Sequence, residues 1–294
     1  MKTIQKILFI SIFKEGDGGG EGRVAYEMAR WFSRRYQVVM LCPGETTNLT
    51  VDSSGFKRFT VQSAREGNLA VPLLSGVNVR KIYQFLDAFK PDVIHIHDPA
   101  LLCVVGQLWA RLNGVPVFYT AHVLPSRILD FGAGEVAQFL STPANESLVD
   151  RYLLDFYESC DAVVGLNATA AAEVRAFGYS GPIHIIPNGR DLRLYNACAL
   201  PDNRAAVKEL AFVGFLNKRK NQAFLLEMMR YLPENYHLTL IGEPLVPAYL
   251  EELQQTVAAG RLNVTFTGQL TQAQIAAALE KTHVFVSASK MEVQ

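Results

Sequence analysis

Short apolar runs alternate with longer stretches of helical period along the chain, and that rhythm predicts most of its elements. Lys6–Ile12 reads as a strand, followed by a glycine-rich turn and a helix over Gly22–Arg35. Strands are predicted at Val38–Cys42, Val93–His97, Val117–Ala121, Ala162–Leu166 and Ile183–Ile186. Between them, helical spacing covers Val79–Phe89, Leu101–Leu112, Ser147–Ser159 and Ala168–Phe177. These strands are apolar at consecutive positions instead of alternating. That is the mark of a parallel sheet covered by helices on both faces, and so of an α/β fold.

The rhythm breaks over Asn196–Lys208, a polar stretch that contains Pro201 and carries little periodicity, and it reads as an interdomain linker. It then restarts. Strands are predicted at Glu209–Val213, His237–Ile241, Val264–Thr267 and Val284–Ser287, with helices at Asn221–Tyr231, Pro247–Ala259 and Gln272–Leu279. The expected domains are residues 1–195 and 205–294, each a doubly wound Rossmann-like unit. The second ends on a strand with no helix after it, so it is expected to be incomplete, and the chain to be a fragment.

Composition narrows the picture. Hydrophobic residues make up 49% of the 294 and charged residues 19%, which suits a globular protein. A net charge of zero argues against a nucleic-acid partner. The charge is uneven: residues 1–90 hold 13 Lys/Arg and 8 Asp/Glu (+5), and residues 91–196 hold 6 and 11 (−5). A basic first segment, with Trp31, Phe32, Arg34 and Arg35 on one helix and Phe56-Lys57-Arg58-Phe59 nearby, would suit an anionic membrane surface, although Trp31 and Phe32 also read as core. The widely spaced Cys42, Cys103, Cys160 and Cys198 suit free thiols in a reducing, cytoplasmic compartment, peripheral to the membrane if attached to it at all.

Four segments carry candidate chemistry. The turn Gly16-Asp17-Gly18-Gly19-Gly20-Glu21-Gly22 lets backbone N–H groups approach an anion at a helix N-terminus. It is not a strict dinucleotide fingerprint, and no acidic residue ends the second strand, so a dinucleotide cofactor is disfavoured. His95 and His97 lie at period two on one strand, with His97 at its C-terminal end, and His122 ends the next strand the same way. Adjacent strand positions converge poorly on an ion, so no metal is expected. Asn188 lies in the turn Ile186-Pro187-Asn188-Gly189. The run Lys218-Arg219-Lys220 precedes a helix, as a phosphate clamp does and as a solvated basic loop also can.

Taken in order, these segments resemble the retaining glycosyltransferases of family four, which have the two-domain GT-B fold. The resemblance rests on Gly19-Gly20-x-Gly22, Asp92-Val-Ile-His-Ile-His97, Thr120-Ala-His122, Ile186-Pro-Asn-Gly189, Val213-Gly214 with Lys220-Asn-Gln222, Leu240-Ile-Gly242, Val264-x-Phe-x-Gly268 and Ser289-x-x-Glu292. It spans essentially the whole chain. It implies a nucleotide diphosphate sugar held in a cleft between two domains as donor substrate, with no cofactor and no metal. It implies that His122 contacts the transferred sugar as the catalytic residue, and that Gly19, Gly20, Asn188, Arg219, Lys220 and Glu292 bind the donor. Two departures stand out. Phe215 occupies a position where the family usually has arginine, and the second glutamate of the family motif, eight residues after Glu292, lies beyond Gln294. The segment Leu124-Pro125-Ser126-Arg127 after His122 is similar to the subgroup that glycosylates diacylglycerol, which implies a lipid acceptor, with a polysaccharide unit or a small molecule as the other choice. The alternative is a non-catalytic module that binds a nucleotide sugar or a partner.

Overall fold

The computed structural model describes residues 3–16, 19–66, 69–122, 124–125, 142–189, 192–195, 201 and 204–290. The chain divides into two compact units, residues 1–189 and 190–292. Each is an α/β unit built on a mainly or wholly parallel sheet.

In the first unit the strands are β1 (Lys6–Ile10), β2 (Gln37–Gly44), β3 (Asn48–Val51), β4 (Lys57–Glu66), β5 (Leu69–Pro72), β6 (Val93–Ile96), β7 (Val117–Ala121), β8 (Ala162–Gly165) and β9 (Ile183–Ile185). The helices are α1 (Gly19–Phe32), α2 (Gly76–Phe89), α3 (Leu101–Asn113), α4 (Pro143–Glu158) and α5 (Ala168–Ala176). The sheet runs β3-β4-β2-β1-β6-β7-β8-β9, and β5 pairs with β4. Among the described residues of this unit, only the β3–β4 and β4–β5 pairings are antiparallel. The order reverses at β1, which has β2 on one side and β6 on the other. Ligands bind open α/β sheets at the C-terminal ends of such strands.

Strand β1 shows why both faces are covered. Leu8 and Ile10 pack with Val39, Leu41, Ile82 and Leu86 in one core, while Ile7 and Phe9 pack with Val38, Met40 and residues of α1 in another. Period-two side-chain alternation feeds both layers, so a run of apolar residues is required where a one-sided sheet needs alternation. The start of the β1–β6 pair is locked by Asp92, whose Oδ2 accepts the N–H groups of Gln5 and Lys6, each at 2.9 Å.

Strands β3, β4 and β5 lie in a stretch where the sequence reading placed no element. Strand β4 did carry a signal: Phe59 and Val61 alternate inward and are buried. Strand β3 is a mostly exposed edge, and its polar surface hides it from a search for apolar runs. The basic segment is also drier than expected. Phe56 and Phe59 are core residues, and Phe32 packs against Phe9. Arg30 pairs with Glu15 and Asp52, and Arg58 pairs with Glu15. Trp31 alone of the flagged aromatics is exposed, at 62%, with the Arg34 guanidinium 4.4 Å from its ring centroid. Cys42, Cys103 and Cys160 are buried and free; Cys198 lies outside the described residues.

In the second unit, a 3-10 turn at Leu192–Leu194 leads to β10 (Lys208–Val213), α6 (Gln222–Met229), β11 (Tyr236–Ile241), α7 (Pro247–Gly260), β12 (Val264–Gly268), α8 (Gln272–Glu280) and β13 (Val284–Phe285). The sheet order is β12-β11-β10-β13, all parallel, and again it reverses beside the first strand of the unit. Leu210, Phe212, Leu238 and Leu240 face Leu225, Leu226 and Met229 of α6 and Tyr249 and Leu253 of α7. The turns after β10 and β11 touch. Gly214 and Gly242 adopt φ of +155° and +144°, and a methyl built on Gly242 would overlap the carbonyl oxygen of Gly214.

Two outcomes follow. Gly242→Ala combines a backbone clash with a φ unfavourable for any side chain, and should cost more than about 3 kcal/mol in denaturant unfolding. Gly76→Ala, where a Cβ meets nothing within 4 Å, is the control and should change stability by less than about 1 kcal/mol. Equal midpoints for the two variants would contradict the close approach.

The second outcome concerns Glu21, in the first turn of α1. Its carboxyl is hydrogen-bonded to that of Asp98, and burial followed by the neighbouring carboxyl raises it well above the ordinary range. Burial likewise raises Asp98. A group bound more tightly to its proton in the folded state stabilises the fold fully below the unfolded value, about 4.3, and loses that contribution as pH rises through the folded one. The pair's contribution to the melting temperature should therefore fall as pH rises from the ordinary carboxyl range, opposite in sign to the contribution of the buried histidines held below their ordinary value. Glu21→Gln, which cannot ionise, should flatten that fall. An unchanged slope in the variant would show that the pair holds no proton.

Candidate functional site

The reversal point of the first sheet is built by the loops after β1, β6 and β7. The β6 loop reaches across to β1: the N–H of His97 donates to the carbonyl of Ile10 at 3.1 Å, and Asp98 Oδ2 accepts the N–H of Ile12 at 2.9 Å. Glu21 hydrogen-bonds Asp98 from α1. One buried carboxyl pair thus ties the β1 turn, the N-terminus of α1 and the end of β6 into a single corner. Glu21 is half-buried as a residue, and its Oε1 atom is shut off from solvent and has no hydrogen-bond partner. Gly19 and Gly20 open α1 at this corner. A Cβ on Gly20 would meet nothing within 4 Å, so the protein leaves open space before the helix. The first N–H groups of a helix have no partner inside it and favour an anion.

Beside the corner lie three imidazoles. His95, at the third position of β6, puts its Nε2 2.8 Å from Thr120 Oγ1 on β7. His97 follows β6, is fully buried, and puts its Nδ1 3.0 Å from Nε2 of His122, which follows β7. The His95 and His97 rings stack at 4.7 Å and the His97 and His122 rings at 5.2 Å. Burial pushes His95 down to about 4. Burial, then the neighbouring His95, pushes His122 down to about 4. Burial, then His95 and His122, lowers His97 well below the imidazole range. All three rings are neutral at neutral pH. His122 thus offers hydrogen bonds to a ligand, not a positive charge. Among the described residues no group of three or more His, Cys, Asp or Glu is disposed to hold a metal ion.

The second unit presents a different chemistry at its own reversal point. The turn after β10 holds Phe215, Lys218, Arg219 and Lys220 and runs into α6. Lys218 and Arg219 are exposed and Lys220 is half-buried. Gln222 is fully buried and organises the turn: its Nε2 donates to the Phe215 carbonyl at 2.9 Å, and its Oε1 accepts the Asn217 N–H at 3.3 Å. Asn217 Oδ1 accepts the Lys220 N–H at 2.8 Å. The Lys220 side chain lies beside Gly214, its Cε 4.0 Å from where a Cβ there would sit. The loop after β13 joins this turn through the Lys290 N–H, which donates to the Arg219 carbonyl at 2.9 Å. The result is a cationic turn at a helix N-terminus, suited to phosphate oxygens.

Within the first unit the structure brings Gly19, Gly20 and His122 to the C-terminal ends of the strands, and within the second it brings Arg219 and Lys220 to the C-terminal end of β10. Asn188 sits apart from the first group, half-buried after β9 at the far edge of the sheet. Glu292 lies outside the described residues. Sequence reasoning assigned no role to Glu21, Asp98 or Gln222. A buried carboxyl at a helix start cannot be told from an ordinary N-terminal acidic residue by pattern. Gln222 did carry a signal, as a polar residue at an inward-facing helical position.

Both parts of the chain match known protein families. The family model described as Glycosyltransferase Family 4 matches residues 18–194, and that described as Glycosyl transferases group 1 matches residues 207–294. A GDP-mannose-dependent alpha-mannosyltransferase of Mycolicibacterium smegmatis is 29% identical over 221 residues, covering 74% of this chain and 55% of the relative. The chain thus spans about half the length of that curated relative. Among solved structures, HepE from Anabaena in complex with UDP-glucose is similar with a TM-score of 0.70 at 18% identity, covering 97% of this chain and 74% of that one. Sucrose-phosphate synthase from Thermosynechococcus elongatus is similar with a TM-score of 0.75 at 19% identity, covering 99% and 77%. These structural likenesses show the fold, an α/β architecture of Rossmann-like units shared with GT-B glycosyltransferases. The first family model alone matches more than half of the sequence, and the chain belongs to glycosyltransferase family 4.

Proposed function

We propose that this chain is a hexosyltransferase that moves a sugar from a nucleoside diphosphate donor to an acceptor with retention at the anomeric carbon. The observation that carries the reading is the cationic turn of the second unit, with Lys220 packed beside Gly214 ahead of α6. In this reaction the bond from the anomeric carbon to the diphosphate oxygen breaks, and a bond to an acceptor hydroxyl oxygen forms. The acceptor proton leaves with the departing phosphate. Negative charge grows on the diphosphate as it departs, and Lys220, Arg219 and the N–H groups opening α6 are the groups placed to stabilise it. Gly19, Gly20 and His122 approach the sugar side, and Asn188 and Glu292 complete donor binding. The donor favoured is GDP-mannose, supported by the similarity to the mycobacterial mannosyltransferase.

For the acceptor we favour a lipid such as diacylglycerol, taken up by an enzyme that rests on the cytoplasmic membrane face. The support is the exposed Trp31 with Arg34 stacked on it, an interfacial aromatic beside cationic side chains. No helix among the described residues is long and apolar enough to cross a membrane.

Lys220→Ala should lower kcat/KM for GDP-mannose turnover by about 100-fold, the usual loss when one charge-stabilising group is removed. Its melting temperature should stay within a few degrees of wild type. A wild-type rate in this variant would remove Lys220 from the chemistry. With vesicles of phosphatidylglycerol containing diacylglycerol, the radiolabelled sugar should enter the organic phase, and its anomeric configuration should match that of the donor. Label remaining wholly in water-soluble products would reject the lipid acceptor, and an inverted anomer would reject retention.

A further inference from the structure

The buried contact between His97 and His122 decides which nitrogen of each ring carries its proton. A neutral imidazole has one N–H, and the 3.0 Å contact between His97 Nδ1 and His122 Nε2 needs one hydrogen between them. Two arrangements satisfy it. If His122 donates, the proton of His97 must sit on Nε2, which is buried and has no hydrogen-bond partner. An orphaned buried N–H is costly and rare. Nor does an aromatic face accept it. The rings around His97 are nearly parallel to it: Phe9 at 22°, His95 at 8° and His122 at 17°. An N–H lies in the plane of its own ring and cannot point into a neighbour stacked above or below. If instead His97 donates through Nδ1–H, its Nε2 is left only an unprotonated lone pair, and the orphan donor disappears.

We infer that His97 is a positioning residue that fixes the tautomer of His122, so that the His122 ring carries its proton on Nδ1 and offers it as a hydrogen-bond donor at the end of β7. The catalytic consequence rests on reading this edge as the sugar side of the donor site; the tautomer itself does not. Nε2 of His122 is occupied by His97, so the ring has no free lone pair and cannot serve as a general base. It is neutral, so it cannot serve as a cation either. What remains is one N–H, suited to a hydroxyl oxygen of the transferred sugar. His122 is in this account a sugar-recognising donor held still by a second histidine, in the way that a partner at one imidazole nitrogen orients and sets the other.

The test is nitrogen NMR of the 294-residue chain labelled with 15N-histidine, the His122 signals being assigned by their loss in His122→Asn. The expected result is His122 protonated on Nδ1. In His97→Phe, which keeps a stacked ring but no polar atom, that preference should be lost, and kcat for GDP-mannose hydrolysis should fall by about tenfold or more with KM changed by less than about threefold. His97→Asn, whose amide nitrogen falls close to the former Nδ1, should recover most of the rate. Finding His122 protonated on Nε2 in the wild-type protein overturns the inference, even if His97→Phe fails to fold. A wild-type kcat in a folded His97→Phe overturns the positioning role. An Nδ1–H tautomer in a protein that neither binds nor hydrolyses GDP-mannose or UDP-glucose upholds the inference about the ring and rejects the glycosyltransferase reading of the edge.

Discussion

The corner held by Asp98 is the constraint on which the first unit's site depends. A parallel sheet that reverses its strand order leaves two loops diverging from neighbouring strand ends, and the gap between them is where a ligand fits. Here the two loops are tied by the Asp98 carboxyl, which accepts the Ile12 N–H from the β1 turn and hydrogen-bonds Glu21 at the start of α1. The segment after β1 is held further by the Tyr26 hydroxyl, which donates to the Phe13 carbonyl at 3.1 Å, and by the pairing of Glu15 with Arg30 and Arg58. A carboxyl pair in this position must hold a proton, because two buried negative charges in contact are too costly to keep. The same loop that carries Asp98 carries His97, so the corner and the histidine stack are built on adjacent residues.

The two units solve related problems with opposite chemistry. The first offers neutral imidazoles and a helix start, groups that recognise hydroxyls and tolerate an anion. The second offers consecutive cations before α6, held by the buried amide of Gln222. Phe215 lies in the same turn as the three cations Lys218, Arg219 and Lys220. Its carbonyl still has a structural task, as the acceptor for Gln222.

Much of the fold was legible because parallel strands advertise themselves. Consecutive apolar residues such as Ile7 to Ile10 have no other use than feeding two cores, and each predicted strand of that kind is present. The strands that escaped notice, β3 to β5, lie at the sheet edge, where one face meets water and the apolar signal halves. The site was legible in part. Histidines ending successive strands and cations ahead of a helix mark themselves by position. Glu21 did not, because its importance comes from burial and a partner that only the folded chain brings together, while Gln222 was marked only by its polarity at an inward-facing helical position. The aromatic and basic segment was legible only in part: Phe56 and Phe59 are core and Arg30 and Arg58 pair with Glu15 and Asp52, while Trp31 and Arg34 lie at the surface.

The central claim is that the second unit recognises the diphosphate of a sugar nucleotide through its cationic turn. Calorimetric titration of the protein with GDP and with GMP tests it most directly, since the two ligands differ by a single phosphate. The account predicts that GDP binds at least about tenfold tighter, roughly 1.4 kcal/mol, and that this advantage shrinks as salt is raised. Equal affinity for GDP and GMP, or no binding of either GDP or UDP, would contradict it.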